Sequence, residues 1–531
     1  MSLLLKAFPH GRPYHSARSH VRTCAVVAAT FLALVVTLLP LAGPASAGTV
    51  QRSSHQVGQA QPGARETTAR EKKKQREKKK RQQQRNKKKH DKPRPKPKPK
   101  KKVGQPPRTF VVRPTSYFTY PNGGRKERQA IRQRVLKTIA STWGGPRTSI
   151  GTPRPENGTI RIATWSFDDW DVAEALVSAR KRGVSVQVVA AKAANKDHPA
   201  WRWLSRKLGQ KLYRPGYPAT RETVSFARSC RGACRGPGGT AHAKYFLFDK
   251  VGPAKARKIS FQTSSNLTYM AWQGQWNQAQ VYRDGPLYDD YLAVFRQARL
   301  ARGKLTAYHV KVFGKVVNYF FPRPRATVAQ DPAMQVLNHT RCMGAGTSRS
   351  GRTKVRVIQY AVYGDRGVWL AKKLRGLWKA GCDVAIIYSV SSRPVLSILR
   401  NPAGRGPIPM RQSVEKDYYG NIVKYNHSKW MTIIGNWGSS RESYQTFSGS
   451  ANWANLAFGD DEQMQRISSV REALRHNAAF KKTWRQPSSS EPSFARVVTF
   501  GRAATVAPFA RDVPLDAPAF GTGVFRYMTP D

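Results

Sequence analysis

The chain repeats its own pattern, and that repeat limits the folds open to it. Thr159-Ile-Arg-Ile-Ala-Thr-Trp-Ser166 and Lys354-Val-Arg-Val-Ile-Gln-Tyr-Ala361 share a β-branched run with an aromatic residue near its end. After each come a polar turn with an Asp, a helical stretch and a second matched passage. That passage is Lys181-Arg-Gly-Val-Ser-Val-Gln-Val-Val189 in one copy and Lys379-Ala-Gly-Cys-Asp-Val-Ala-Ile-Ile387 in the other. Runs this apolar read as buried strands, and Gly183 and Gly381 as the residues that end the helices before them. Each copy is therefore strand, helix, strand, a variable insertion and a further strand. This is an α/β pattern with a mixed, largely parallel sheet.

The further strand of each copy carries the chemistry. Thr240-Ala-His-Ala-Lys-Tyr-Phe-Leu-Phe-Asp249 and Tyr425-Asn-His-Ser-Lys-Trp-Met-Thr-Ile-Ile434 hold the same His-x-Lys pair, His242 with Lys244 and His427 with Lys429. A small polar cluster follows both: Asn266 of Ser264-Ser265-Asn266 lies 24 residues after His242, and Asn452 of Ser450-Ala451-Asn452 lies 25 after His427. One His-x-Lys arises by chance; two matched four-residue sets imply a duplicated half-site. From Gly183 to His242 is 59 residues and from Gly381 to His427 only 46, so the first copy holds an extra loop. We assign it to the region of Cys230 and Cys234 and expect it to form part of an entrance wall.

The 531 residues allow two domains of ordinary size and some unstructured sequence besides. Residues 1–47 read as an export signal, with Lys6, Arg12, Arg18 and Arg22 before an apolar stretch and Ala45-Ser46-Ala47 as the cleavage site. The small-residue site favours cleavage over retention as a membrane anchor, so a secreted protein is expected. Residues 48–108 lack the large apolar side chains a core needs; between Glu71 and Lys102 they place 19 Lys or Arg against 3 acidic residues. Such a run repels itself and stays extended. It is either a solvated tether or an anchor to an anionic polymer or lipid surface, where each Lys contributes about 1 kcal/mol. The first 108 residues hold 27 basic and 4 acidic side chains, leaving 66 against 26, or +40, for residues 109–531. A body that basic attracts polyanions, whether membrane, cell-wall polymer or nucleic acid.

Beyond Cys24 in the export segment, four cysteines remain: Cys230, Cys234, Cys342 and Cys382. In an exported chain an even number favours disulfides, the close pair bridging locally and Cys342 pairing with Cys382. A zinc site is the rival reading, but no His stands at finger-like spacing from either pair.

In an extended strand side chains two apart point the same way, so His242 and Lys244 share a face, as do His427 and Lys429. An imidazole beside an ammonium suits a phosphate group. The Lys neutralises its oxygens, and Ser264, Ser450, Asn266 and Asn452 can donate further hydrogen bonds. One His can attack phosphorus while the other protonates the leaving alcohol and then activates water. The scheme requires neither metal nor cofactor. Asp168, Asp169 and Asp171 follow a strand and precede a helix, where capping is the first reading.

These residues carry a resemblance. Over roughly residues 110–487 the chain resembles the phospholipase D superfamily, whose hallmark is His-x-Lys, four residues, Asp, then Gly-Ser-x-Asn, given twice. His242, Lys244 and Asp249 fit the first copy, with Thr263 in place of the usual Gly. In the second, His427, Lys429, Gly449, Ser450 and Asn452 fit, with Ile434 in place of Asp. An Asp seven residues after the His points away from the catalytic face, so its loss affects packing more than chemistry. The resemblance implies two homologous α/β/α sandwich halves with mixed, largely parallel sheets, related by a pseudo-twofold axis. We expect them at 109–330 and 331–487, with an extension at 488–531. It also implies an acidic residue after each Asn to orient a histidine. Glu462 is the candidate in one half, whereas Trp276-Asn-Gln-Ala-Gln280 offers an amide in the other. By the same resemblance His242 is the nucleophile and His427 the acid.

Reaction type is better marked than substrate. Export and the tryptophans near the motifs, Trp276, Trp430, Trp437 and Trp453, resemble the secreted bacterial phospholipases D; aromatic residues around a cleft suit a bilayer surface. The expected activity is hydrolysis of phospholipid headgroups by a monomer. The alternatives are a secreted endonuclease of the same superfamily and a degenerate polyanion-binding protein.

Overall fold

The computed structural model describes residues 110–148, 151–213, 220–303, 308–419, 421–486 and Ser489–Ser490, besides Glu77. The chain divides into a unit ending at Lys98 and a second beginning at Pro99, to which all described residues but Glu77 belong. The expected export segment, the basic segment 48–108 apart from Glu77, and the extension apart from Ser489–Ser490 lie outside the described residues.

The fold is mixed α/β, with two large sheets. The first holds β1 (Ser116–Phe118), β2 (Thr159–Thr164), β3 (Ser185–Ala191), β4 (Phe226–Cys230), β5 (Tyr245–Phe248) and β6 (Ile259–Thr263). The short β7 (Gln275–Trp276) leaves for the other sheet, and β8 (Gln278–Arg283) completes the first in the order β1-β8-β6-β5-β2-β3-β4. The second sheet holds β9 (His309–Phe313), β10 (Val316–Phe320), β11 (Lys354–Val362), β12 (Asp383–Ser391), β13 (Met410–Lys416), β14 (Ile422–Asn426), β15 (Lys429–Trp437), β16 (Ser440–Gly449) and β17 (Gln463–Ser468). Its order is β7-β14-β13-β12-β11-β15-β16-β17-β10-β9. The run β8-β6-β5-β2-β3-β4 thus has a counterpart, strand for strand, in β17-β16-β15-β11-β12-β13. The β9–β10 hairpin, within the expected first half, adds to the second sheet through β17.

The sheets are not largely parallel. Within these two runs only β2–β3–β4 and β11–β12–β13 pair in parallel, while β5 and β15 run against β2 and β11 and pair antiparallel with β6 and β16. The cause is local: β5 joins β6 through residues 249–258 and β15 joins β16 through residues 438–439, connections too short for the crossover that a parallel pair needs.

Helices cover both faces of the first sheet. Ile160 and Ile162 of β2 face α1 (Ala130–Ala140), α2 (Trp170–Lys181) and α3 (Pro199–Leu208), through Val135, Leu176 and Leu204 among others. On the opposite face, Ala163, Tyr245 and Leu247 meet Leu287, Tyr291 and Phe295 of α4 (Gly285–Ala298). This alternation is the period of two expected for a strand buried on both sides. In the second sheet, α5 (Gly364–Lys379) and α6 (Arg393–Arg400) cover one face, and α7 (Val470–Trp484) packs on Ile358, Ile387 and Trp430 of the other. Asp169 caps α2 by accepting from the amide of Val172 and shares Arg132 with Asp171. Gly183 and Gly381, just past α2 and α5, have φ of 92° and 100°, the left-handed turn that favours glycine. Among the described residues, no helix is long and apolar enough to cross a membrane.

Candidate active site

The two His-x-Lys segments lie where the sheets meet. The His242 amide donates to the carbonyl of Asp461 (3.0 Å) and the His427 amide to that of Trp276 (2.9 Å), so each motif is tied to a segment distant in sequence. Neither motif sits wholly inside a regular strand, because β5 begins at Tyr245 and β15 at Lys429. The two ammonium groups have different partners. Lys429 Nζ donates to Nε2 of His427 at 2.9 Å, whereas Lys244 Nζ donates to the backbone oxygen of His242 at 2.8 Å. All four side chains are buried. Each ammonium also faces an aromatic ring: Lys244 lies 5.9 Å from the centre of Trp165 and Lys429 4.8 Å from that of Tyr360.

Each imidazole is held by the other sheet's segment. His242 Nδ1 donates to Glu462 Oε1 at 2.6 Å, and His427 Nδ1 donates to Asn277 Oδ1 at 3.0 Å. The Asn277 interaction fixes the tautomer of His427, and Lys429 donating to its Nε2 agrees with that assignment. Burial raises the Glu462 pKa, but His242, Lys244 and Ser450 outweigh it and hold the carboxyl below its ordinary value. Glu462 is thus an anion at Nδ1 of His242, while the partner at Nδ1 of His427 is a neutral amide.

Ser264 and Ser450 do not point hydroxyls at a substrate position. Ser264 Oγ donates to Asn277 Oδ1 (2.8 Å) and accepts from the Gln278 amide (3.1 Å). Ser450 Oγ donates to Glu462 Oε2 and accepts from the Gln463 amide (3.1 Å). The reason is the turn after β6 and β16, which lays each serine beside the segment that supplies a histidine's partner. Asn266 Oδ1 accepts from the Ser166 amide at 3.3 Å, and the Asn452 carbonyl accepts from Arg366 at 2.8 Å. Arg366 is itself fully buried against Asp331.

Sequence reasoning missed two glutamines. Gln278 Nε2 donates to the carbonyl of Gly449 (3.2 Å), and Gln463 Nε2 to that of Lys244 (3.2 Å), so each crosses to the other sheet's motif. The signal was present: each glutamine directly follows a histidine partner, as Asn277-Gln278 and Glu462-Gln463. Also missed were Asp460 and Asp461, whose carboxyls burial raises to about 7. Glu462 adds to the rise in both, while Arg235 opposes it at Asp461 and His242 at Asp460.

Asp249 accepts from the Lys258 amide (3.4 Å) and pairs with Arg257, closing the β5–β6 turn, and Ile434 is buried between Lys354 and Tyr444. Both therefore act in local packing. The structure holds Cys230–Cys234 and Cys342–Cys382 disulfides, and no metal-ligating cluster occurs among the described residues. In the loop expected as an entrance wall, Cys230, Ala233, Cys234 and Arg235 are buried, because the loop packs onto Asp461. Nor do the tryptophans ring a cleft. Trp276, Trp430 and Trp453 are core residues, and the half-buried Trp437 donates to the carbonyl of Val336.

Residues 156–299 match the family described as "Cardiolipin synthase, PLD-like domain". No curated protein matches the sequence. Among solved structures, the chain is similar to polyphosphate kinase from Porphyromonas gingivalis, with 14% identity, coverage of 70% of this chain and 50% of that one, and a TM-score of 0.43. It is similar to phosphatidylserine synthase from Haemophilus influenzae at 13% identity, covering 71% and 87%, with a TM-score of 0.45. For Nuc, a phospholipase D family member from Salmonella typhimurium, the values are 21%, 36% and 97%, and 0.24. This chain spans half the length of the polyphosphate kinase, and at such scores none of these likenesses bears on function. Over residues 156–299, which hold the first His-x-Lys segment, the chain is similar to that phospholipase D-like domain.

Proposed function

We propose that the chain is a phosphodiesterase that cleaves nucleic-acid strands through a phosphohistidine on His242. The observation that carries the reaction is the crosswise pairing of His242 with Glu462 and His427 with Asn277. With Nδ1 engaged by Glu462, His242 attacks phosphorus through Nε2. The P–N bond forms as the bond to the leaving oxygen breaks, and His427, in its imidazolium form, gives that oxygen the proton on Nε2. Water then attacks phosphorus, His427 takes a proton from it, and His242 departs. Lys244 and Lys429 balance the charge on the phosphate oxygens. The matched strand orders support a duplicated fold with a pseudo-twofold axis between the halves.

The net charge of +40 over residues 109–531 supports a polyanionic substrate. Burial of Trp276, Trp430 and Trp453 removes the main sequence argument for a bilayer. A phospholipid keeps one specific support: Tyr269 and Leu456, 66% and 67% exposed, stand on the turns just after Asn266 and Asn452. With an export segment removed, the enzyme would act outside the cell, where the basic segment would hold it to anionic polymers.

The test is cleavage of single-stranded and plasmid DNA beside phosphatidylcholine vesicles, by wild type and His242→Asn in EDTA. Strand scission that His242→Asn abolishes is expected. Lipid turnover without scission overturns the substrate, and no turnover of either overturns the enzyme reading.

A further inference from the structure

We infer that Asp461 is a positioning residue for the Glu462–His242 pair and acts through the loop closed by the Cys230–Cys234 disulfide. Its kinetic consequence rests on the proposed phosphodiesterase activity; its structural consequence does not. The amides of Cys234 and Arg235 both donate to the Asp461 carboxylate, the latter at 3.2 Å. Successive amides converging on one carboxylate make an anion-binding concavity, and the disulfide keeps them converged. The backbone of Asp461 grips the same segment: its amide donates to Thr240 (2.9 Å) and its carbonyl accepts from His242 (3.0 Å). Asp460 adds a third tie by accepting from the Thr240 amide at 2.7 Å.

Glu462 is held from its other side too. The Phe321 amide donates to the Glu462 carbonyl at 3.0 Å, and the Phe321 carbonyl accepts from Arg235 at 2.6 Å. The loop therefore bears on the backbone at both flanks of the residue whose carboxylate orients His242. Its approach is close: a Cβ at Gly239, where φ is 63°, would fall 2.4 Å from the Gly459 carbonyl oxygen. A cavity of about 20 Å³ is lined in part by Arg235, Tyr245, Asp461 and Glu462. Lys244, Asp460 and Asp461 are further charged groups bearing on the pair, and Arg235 acts on it through Asp461.

The experiment uses the full chain in three forms: wild type, Asp461→Asn, and Cys230→Ser with Cys234→Ser. Ring-labelled histidine NMR gives the His242 titration midpoint, assigned with His242→Asn, and bis(p-nitrophenyl) phosphate gives kcat and KM against pH. The disulfide-free chain keeps the Asp461 side chain, so a shift in it reports the loop's grip rather than a changed residue. We expect its midpoint to fall by roughly one pH unit and kcat to fall on the order of 10- to 100-fold with KM little changed. If it unfolds, Asp461→Asn decides by the same readouts. A folded variant with the wild-type midpoint overturns the inference, as does a rise in KM at unchanged kcat. If wild type turns over no phosphodiester, the proposed function fails while the NMR titration still decides this point.

Discussion

Lys429 donates to the ring of His427, whereas Lys244 reaches past the ring of His242 to its backbone oxygen. An ammonium against Nε2 disfavours a second positive charge there. Lys429→Met should therefore raise the pH at which His427 titrates and move the corresponding limb of the pH–rate profile upward, besides lowering kcat. Lys244→Met should lower turnover without moving that limb. Profiles of kcat for both variants decide it, and identical shifts would remove the asymmetry.

Swapping the histidine partners should tune the two rings separately. Glu462→Gln removes the anion beside His242 and is expected to lower kcat roughly 10- to 100-fold. Asn277→Asp puts an anion beside His427, favours its charged form and should shift its titration upward. An Asn277→Asp enzyme with an unchanged pH profile would show that this contact does not tune His427.

Stability against pH should hide two opposing slopes. His476, buried between Phe118 and Trp430, is pushed down to about 4 by desolvation, although its Nδ1 donates to the Glu472 carbonyl. A folded value below the unfolded one near 6.5 means that this contribution is present above pH 6.5 and lost as pH falls toward 4, by up to about 1.4 kcal/mol per unit. Asp460 and Asp461, raised to about 7 from 3.8, behave oppositely: their contribution is present below pH 4 and lost as pH rises through 7. Urea midpoints from pH 4 to 7.5 should favour acid for His476→Phe and neutral pH for Asp460→Asn. Parallel curves for wild type and both variants would refute it.

Arg366 and Asp331 form a fully buried pair at 3.0 Å, and Arg366 also supports the Asn452 carbonyl. Arg366→Met strands the carboxylate and should cost about 3–5 kcal/mol. Adding Asp331→Leu should restore much of that loss, because two apolar groups leave no buried charge. Thermal or urea unfolding of the single and double variants tests this, and a double variant as unstable as the single would refute it.

Much of this was legible in the chain. Strand and helix positions and the histidine, lysine and asparagine sets follow from a repeat whose spacings agree, and both disulfides from an even set of cysteines with one close pair. The direction of strands was not, since an apolar run like Tyr245–Phe248 is equally buried whichever way its neighbours run. The burial of Trp276 and Trp453 also escaped, because the segments that cover them come from distant parts of the chain. Asp461 looked like one more residue of an acidic turn; only the loop from Cys230 to Thr240, far away in sequence, gives it partners.

Glu462 and Asn277 each serve the histidine of the opposite sheet, and Gln463 and Gln278 each brace the opposite lysine segment. Neither sheet on its own contains a finished histidine. A polypeptide cut in the connection between α4 and β9 would be inert as separate fragments and would regain function only when they reassociate, which makes this chain a natural scaffold for a two-piece complementation reporter.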